Sequence, residues 1–78
     1  MTIGDNVVID KNSVVQAKRI GNNVRIGANC VIGHRCVIYD NCIIQDNSVL
    51  IEDSIVPPFS IFGGNPAVFM GNVTEAMS

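Results

Sequence analysis

Three cysteines, one histidine and a scatter of carboxylates are the residues of this chain able to hold a metal or attack a substrate. Cys30, Cys36 and Cys42 stand six residues apart, a regularity that invites a thiolate site. The spacing argues against one. Zinc draws its sulfur ligands to about 2.3 Å from a single point, and a disulfide needs Cα atoms within about 7 Å. Cysteines on successive corners of a six-residue repeat lie a strand length apart, on the order of 13–16 Å. They read as small buried thiols filling tight corners. His34, in the block IGHRCVI, falls at an exposed corner. A general base needs an orienting partner and a substrate within hydrogen-bond reach. A three-histidine zinc site cannot form within one chain; it would need one histidine per subunit meeting across a threefold axis. Asp5, Asp10, Asp40, Asp46, Glu52 and Asp53 are scattered over corner or outward positions, with no pair spaced for acid–base work. The expectation is no catalytic residue, no metal ligand and no cofactor.

The elements that carry these residues follow a six-residue period. Aliphatic residues recur at Ile3, Ile9, Val15, Ile20, Ile26, Ile32, Ile38, Ile44, Leu50 and Val56, with Phe62 and Val68 keeping the count. The step from Val15 to Ile20 is five residues, which predicts one tightened corner near Gln16–Arg19. Four residues after each aliphatic comes something compact, as at Val24, Cys30, Cys36, Cys42 and Ser48. Asn recurs three residues after it, from Asn6 to Asn47 and again at Asn65, and Gly one residue after it at Gly4, Gly21, Gly27, Gly33 and Gly63. Asn and Gly tolerate positive φ best, so both predict corners where the backbone needs relief. Helices place apolar residues at i, i+3, i+4 and i+7, which a period of six does not match.

Three hexads make one triangular coil. The inward residues then stack as three columns: Ile3, Ile20, Ile38, Val56; Ile9, Ile26, Ile44, Phe62; and Val15, Ile32, Leu50, Val68. The expected fold is all-β, a parallel β-helix of about four coils over residues 1–70, with 71–78 an exit turn and tail containing one helical turn. A composition with 47% hydrophobic but only 5% aromatic residues suits stacked aliphatics. The net charge of −2 gives no electrostatic footprint for nucleic acid. No stretch approaches the ~20 apolar residues of a membrane span, and the first residues lack a basic start before an apolar core. The reading is a cytoplasmic chain with reduced thiols, no nucleic-acid partner and no membrane insertion.

Both ends of the stack draw attention. Val56-Pro57-Pro58-Phe59 places two residues without N–H groups in succession, so this corner must bulge or form an edge. Phe59, Phe69 and Met70 gather the large soft side chains toward the C-terminal end, as cap packing or as a partner-facing patch. Ile3 already belongs to the first hexad, so the first coil is expected to stack on something: another subunit, a second copy, or sequence missing from this chain. Partner-binding candidates are therefore Ile3, Phe59, Phe69 and Met70.

The shortened hexad VVQAKRIG, the block GANCVIGHRCVI and the VPPF corner follow the order found in the dynactin subunit 5 family, which the chain resembles over nearly all its length. It matches the C-terminal part of that family and looks like a short or truncated member. The resemblance implies a left-handed coil and a non-enzymatic, cytoskeleton-associated role. It also implies stacking on a dynactin subunit 6-like partner in the pointed-end complex, in support of dynein adaptor and cargo attachment. The tail VPPFSIFGGNPAVF is similar as well to the exit of hexapeptide-repeat acyltransferases and γ-type carbonic anhydrases. Against these stand the lack of a histidine trio, of a loop bearing a catalytic histidine, and of the basic residue usual after GNPA, where Val68 and Phe69 stand.

Overall fold

The computed structural model describes residues 2–73. Its strands are β1 (Thr2–Ile3), β2 (Val8–Ile9), β3 (Val14–Val15), β4 (Arg19–Ile20), β5 (Arg25–Ile26), β6 (Val31–Ile32), β7 (Val37–Ile38), β8 (Ile43–Ile44), β9 (Val49–Leu50), β10 (Ile55–Val56), β11 (Ser60–Gly63) and β12 (Val68–Asn72). Every third strand pairs in parallel. Face one holds β1, β4, β7 and β10; face two holds β2, β5, β8 and β11; face three holds β3, β6 and β9. Ile20 lies opposite Ile38, so one coil is eighteen residues. Across the first coil Ile3 lies opposite Ile20, one residue fewer.

The shortened coil has a local cause. At nine corner positions a non-glycine residue adopts φ of 57–63°: Asn6, Asn12, Asn23, Asn29, Arg35, Asn41, Asn47, Asp53 and Phe59. These left-handed residues let the chain turn from one face to the next. Several of their N–H groups reach down to the coil beneath, as Asn23 does to the Asp5 carbonyl at 2.8 Å and Asn41 to the Asn22 carbonyl at 2.9 Å. The corner Gln16–Lys18 contains no such residue, and Ala17, 2% exposed, fills its interior instead. Asn65 does not join the column; it lies in the turn that follows Gly63.

The glycines have a different task from the one their positions suggested. Gly21 is not in the left-handed region. Its missing side chain lets the next coil come close: a Cβ there would lie 2.8 Å from the Asp40 nitrogen and 2.9 Å from the Tyr39 carbonyl carbon. Ordinary carbon contacts need about 3.5–4.0 Å. In this row glycine is selected by the neighbouring rung rather than by its own φ.

The bore is lined by buried aliphatic residues. Ile20, Ile38 and Val56 are buried on face one, Ile26 and Ile44 on face two, and Ile32 and Leu50 on face three, with Val15 and Phe62 packed against them. Each fully buried aliphatic contributes roughly 1.5–3 kcal/mol before conformational entropy is counted.

The third column stops at Leu50. Gly64 (φ +101°) opens a turn over residues 64–67, and β12 returns antiparallel on β11 with Val68 opposite Gly63. Val68 is therefore 55% exposed rather than inside. The parallel stack has three full coils and two sides of a fourth. A register shift between Ile61 and Phe62 leaves Met70 as the extra residue of a bulge. β12 carries the ladder through Asn72, where the exit turn was expected. The helical turn expected after it falls on residues 74–78, outside the described residues.

Candidate functional site

The three cysteines are wholly buried, and each thiol donates to a main-chain carbonyl at a corner of the coil above. Cys30 Sγ bonds the Gln45 oxygen, Cys36 Sγ the Ile51 oxygen and Cys42 Sγ the Pro57 oxygen, each at 3.0 Å. Burial pushes the Cys42 thiol above the ordinary cysteine value, which keeps it protonated and a poor nucleophile. Sequence spacing thus placed the thiols in corners correctly, and the structure adds that they satisfy carbonyls there.

His34 is exposed at the corner between faces three and one, where its carbonyl receives the Asp53 N–H at 2.9 Å. Beside it Arg35 forms a two-point ion pair with Asp53, Nε to Oδ1 at 2.7 Å and a terminal nitrogen to Oδ2 at 3.0 Å, and reaches Glu52 at 3.4 Å. The hydrogen bond from Arg35 is the main cause that holds the Asp53 carboxyl below its usual range, and the same bond raises the already high Arg35 value. Among the described residues no three of His, Cys, Asp and Glu gather where they could hold a metal.

The remaining acidic corners are exposed, as expected, yet two of them also bond the coil beneath. Asp40 Oδ1 accepts the Asn22 N–H at 2.7 Å, and Asp46 Oδ1 accepts the Ala28 N–H at 2.9 Å. Asn22 Oδ1 does the same for the Asp5 N–H at 2.8 Å. In each case the residue before the donor is a glycine, Gly21, Gly27 or Gly4, and a Cβ on it would collide with that same side-chain oxygen. Sequence reading missed this pairing. Its signal is a glycine in one coil and an Asx one place further along in the next.

The two ends of the prism differ. At the upper end two faces are covered and the third is a proline-bearing edge. Face two is covered by β12 on β11. On face three Val49 donates to the Gly64 carbonyl at 3.0 Å and accepts from the Ala67 N–H at 2.7 Å. On face one the N–H that Gly4, Gly21 and Tyr39 each send up to the next coil is absent at Pro57, and Pro58 lacks the following one. Proline at such a place removes donors that would otherwise be left without a partner. At the lower end β1, β2 and β3 are edge strands together, and the inward residues Ile3 and Ile9 are 47% and 39% exposed.

Of the four candidate partner residues, Ile3 belongs to this lower rim and the other three to the upper end. Phe59 sits above Asn41 at the corner between faces one and two, half exposed despite its left-handed backbone, and its carbonyl receives the Val73 N–H at 2.7 Å. Phe69 and Met70 are exposed on β12, where Phe69 packs edge-on to Phe62 with ring centres 6.0 Å apart. The four do not form one surface.

The family model for dynactin subunit 5 matches residues 1–78. No curated protein sequence matches the chain. Among solved structures it is similar to the UDP-N-acetylglucosamine O-acyltransferase LpxA of Moraxella catarrhalis, 31% identical with a TM-score of 0.82, over 94% of this chain and 28% of that one. It is similar in fold to a maltose O-acetyltransferase of Clostridium difficile 630, 19% identical with a TM-score of 0.73, over 94% of this chain and 59% of that one. A hexapeptide transferase family protein of Anaplasma phagocytophilum is 22% identical with a TM-score of 0.60, over 96% of this chain and 57% of that one. The chain thus spans less than two thirds of each of these three structures. The architecture is the left-handed parallel β-helix of hexapeptide-repeat proteins.

Proposed function

The chain belongs to the dynactin subunit 5 family, and from that premise we propose that it is a non-enzymatic scaffold subunit whose lower end stacks on a dynactin subunit 6-like β-helical partner. In this reading it stands in a cytoplasmic, cytoskeleton-associated pointed-end assembly and supports attachment of dynein adaptors and cargo. The observation that carries it is the family match over the whole of residues 1–78, on a chain whose parallel coils are the kind that stack on further coils. Edge strands around an apolar bore favour another coil as their neighbour. Within the stack the thiols are engaged on carbonyls, Asp40 and Asp46 on amides, and Arg35 on Asp53. The test is co-purification from native cytosol. Recovery of actin-related protein and dynactin subunits with the tagged chain supports the scaffold; their absence refutes it.

A second reading draws on the 31% identity to the acyltransferase structure. In it the chain is a piece of a hexapeptide-repeat transferase. Acetyl-CoA binding by calorimetry would favour this reading, and no heat with acetyl-CoA would remove it.

A further inference from the structure

Charge is layered along the stack. The second coil carries Lys18, Arg19, Arg25 and Arg35 and no carboxylate; the third carries Asp40, Asp46, Glu52 and Asp53 and no cation. From Ser54 to Val73 the chain has no charged residue. Among the described residues only Arg35 joins the two layers, through Asp53 and Glu52 at the corner between faces three and one.

On face two the layers stay open. Its outward residues are Val8, Arg25, Ile43 and Ile61, one per coil and in register from bottom to top. Arg25 is exposed and forms no ion pair among the described residues. One coil higher, Asp40 and Asp46 flank Ile43 from the two corners of the same face, both exposed. Their Oδ1 atoms take the Asn22 and Ala28 N–H groups, which leaves each carboxylate its charge and its second oxygen. The other faces lack this arrangement. On face one Val37 is flanked by Asp40 and by His34, and on face three Val31 stands where Arg25 stands on face two.

We propose that face two is the contact surface of an antiparallel, face-to-face dimer of this chain. The twofold axis runs along the strands, between the second and third coils. It sets Arg25 of each copy against Ile43 of the other, between the other's Asp40 and Asp46, and sets Val8 against Ile61. Charge selects this arrangement. Parallel copies in register, or an axis through the second coil, put Arg25 on Arg25; an axis through the third coil puts Asp40 and Asp46 on their own kind. Asp5 and Asp10, which flank Val8, meet only the uncharged fourth coil. An anionic membrane or nucleic acid is not selected. The acidic layer lies about 4.8 Å from the basic one, inside a Debye length of about 8 Å, so at a distance the two layers cancel. A partner must carry opposite layers at the same spacing, which a second copy does.

The ionic match lies in the two middle coils and does not depend on how either end of the stack is continued. It also does not rest on the scaffold reading. The chain measures 30 × 24 × 23 Å, so one face offers on the order of 500 Å² and the dimer about 1,000 Å² in all, the lower bound for a specific interface. The association is therefore weak and sensitive to salt.

Sedimentation equilibrium of the full chain tests it, over about 10 μM to about 1 mM, the range of transient contacts. A dimer is expected at low salt and a several-fold weaker one at high salt. Arg25→Glu is expected to weaken it at least about tenfold, as two ion pairs become repulsive. Asp40→Asn with Asp46→Asn is expected to do the same while keeping both Oδ1 acceptors, and circular dichroism checks that each variant is folded. Mixing the two variants is expected to restore association of intermediate strength, because Arg25 of one then meets Asp40 and Asp46 of the other. Arg19→Glu, on face one, is expected to leave the dimer unchanged. A monomer throughout the range, no effect of Arg25→Glu, an equal effect of Arg19→Glu, or no association in the mixture would overturn the proposal.

Discussion

Gly21→Ala tests the claim that glycine in this row is dictated by the rung above. The added methyl would lie 2.8 Å from the Asp40 nitrogen and 2.9 Å from the Tyr39 carbonyl carbon. Ordinary contact requires about 3.5 Å or more, so the two coils must part by roughly 0.7 Å at this corner. Three hydrogen bonds cross there: Gly21 N–H to the Ile38 carbonyl at 2.7 Å, Asn22 N–H to Asp40 Oδ1 at 2.7 Å, and Asn41 N–H to the Asn22 carbonyl at 2.9 Å. Overpacking costs typically about 1–3 kcal/mol, and weakening one of these bonds adds about 1 kcal/mol. The stiffer unfolded chain returns about 0.4–1 kcal/mol. The net loss is about 2 kcal/mol, which for a chain of this size lowers Tm by roughly 8–16 °C. Urea unfolding followed by circular dichroism measures it. Asp40→Ala separates the causes. It removes the carboxylate but leaves the Asp40 main chain in place, so Gly21→Ala combined with Asp40→Ala remains well below the parent. A Gly21→Ala midpoint within about 0.5 kcal/mol of the parent, or complete rescue by Asp40→Ala, would refute the reasoning.

Three further outcomes are expected. Phe59→Asn raises stability by about 1 kcal/mol, because Phe59 adopts the left-handed backbone that Asn occupies at this corner in the three coils beneath; a lower denaturation midpoint would mean that packing of the ring outweighs its backbone cost. Asp53 has its carboxyl held below the ordinary value of 3.8 by Arg35, so its contribution is present above that pH and is lost as pH falls through the depressed value. An acid titration of stability should flatten below pH 3.8 in Asp53→Asn, and salt should shrink the difference for this exposed pair. Cys30, Cys36 and Cys42 should resist alkylation in the folded chain and all react in denaturant, as mass spectrometry would read; labelling of any one at the native rate of a free thiol contradicts the burial.

The repeat was legible because it is written in residue spacing. The columns Ile20–Ile38–Val56 and Ile26–Ile44 and the tight corner at Ala17 were read from the period alone, since one inward aliphatic per six residues permits few other arrangements. The twelfth hexad misled for an equally physical reason. Val68 keeps the count, but Gly64 reverses the chain before it, and a count of apolar residues is blind to strand direction. The glycines misled because their column carries two explanations, positive φ and close approach, and only the position of the next coil decides between them. Asp40 and Asp46 read as solvated carboxylates because their acceptors lie a full coil away in sequence. At the candidate site, the Pro57-Pro58 corner was read as a bulge or an edge, and it follows the edge strand β10, while the opposite fates of Ile3 and Phe59 depend on which end of the prism each residue reaches.

The constant separation of seventeen or eighteen residues between paired strands has a consequence for how the molecule comes apart. Each rung is held only by the rungs on either side, so the chain behaves as a short one-dimensional array rather than as an interlocked globule. Among the described residues, the rung of Ile3 and Ile9 is stacked on one side only and opens before the rungs held on both sides. Unravelling then advances like a zipper toward β12, whose clasp on β11 opens last. Covering the lower end would therefore slow local opening along the whole length, far from the place of contact.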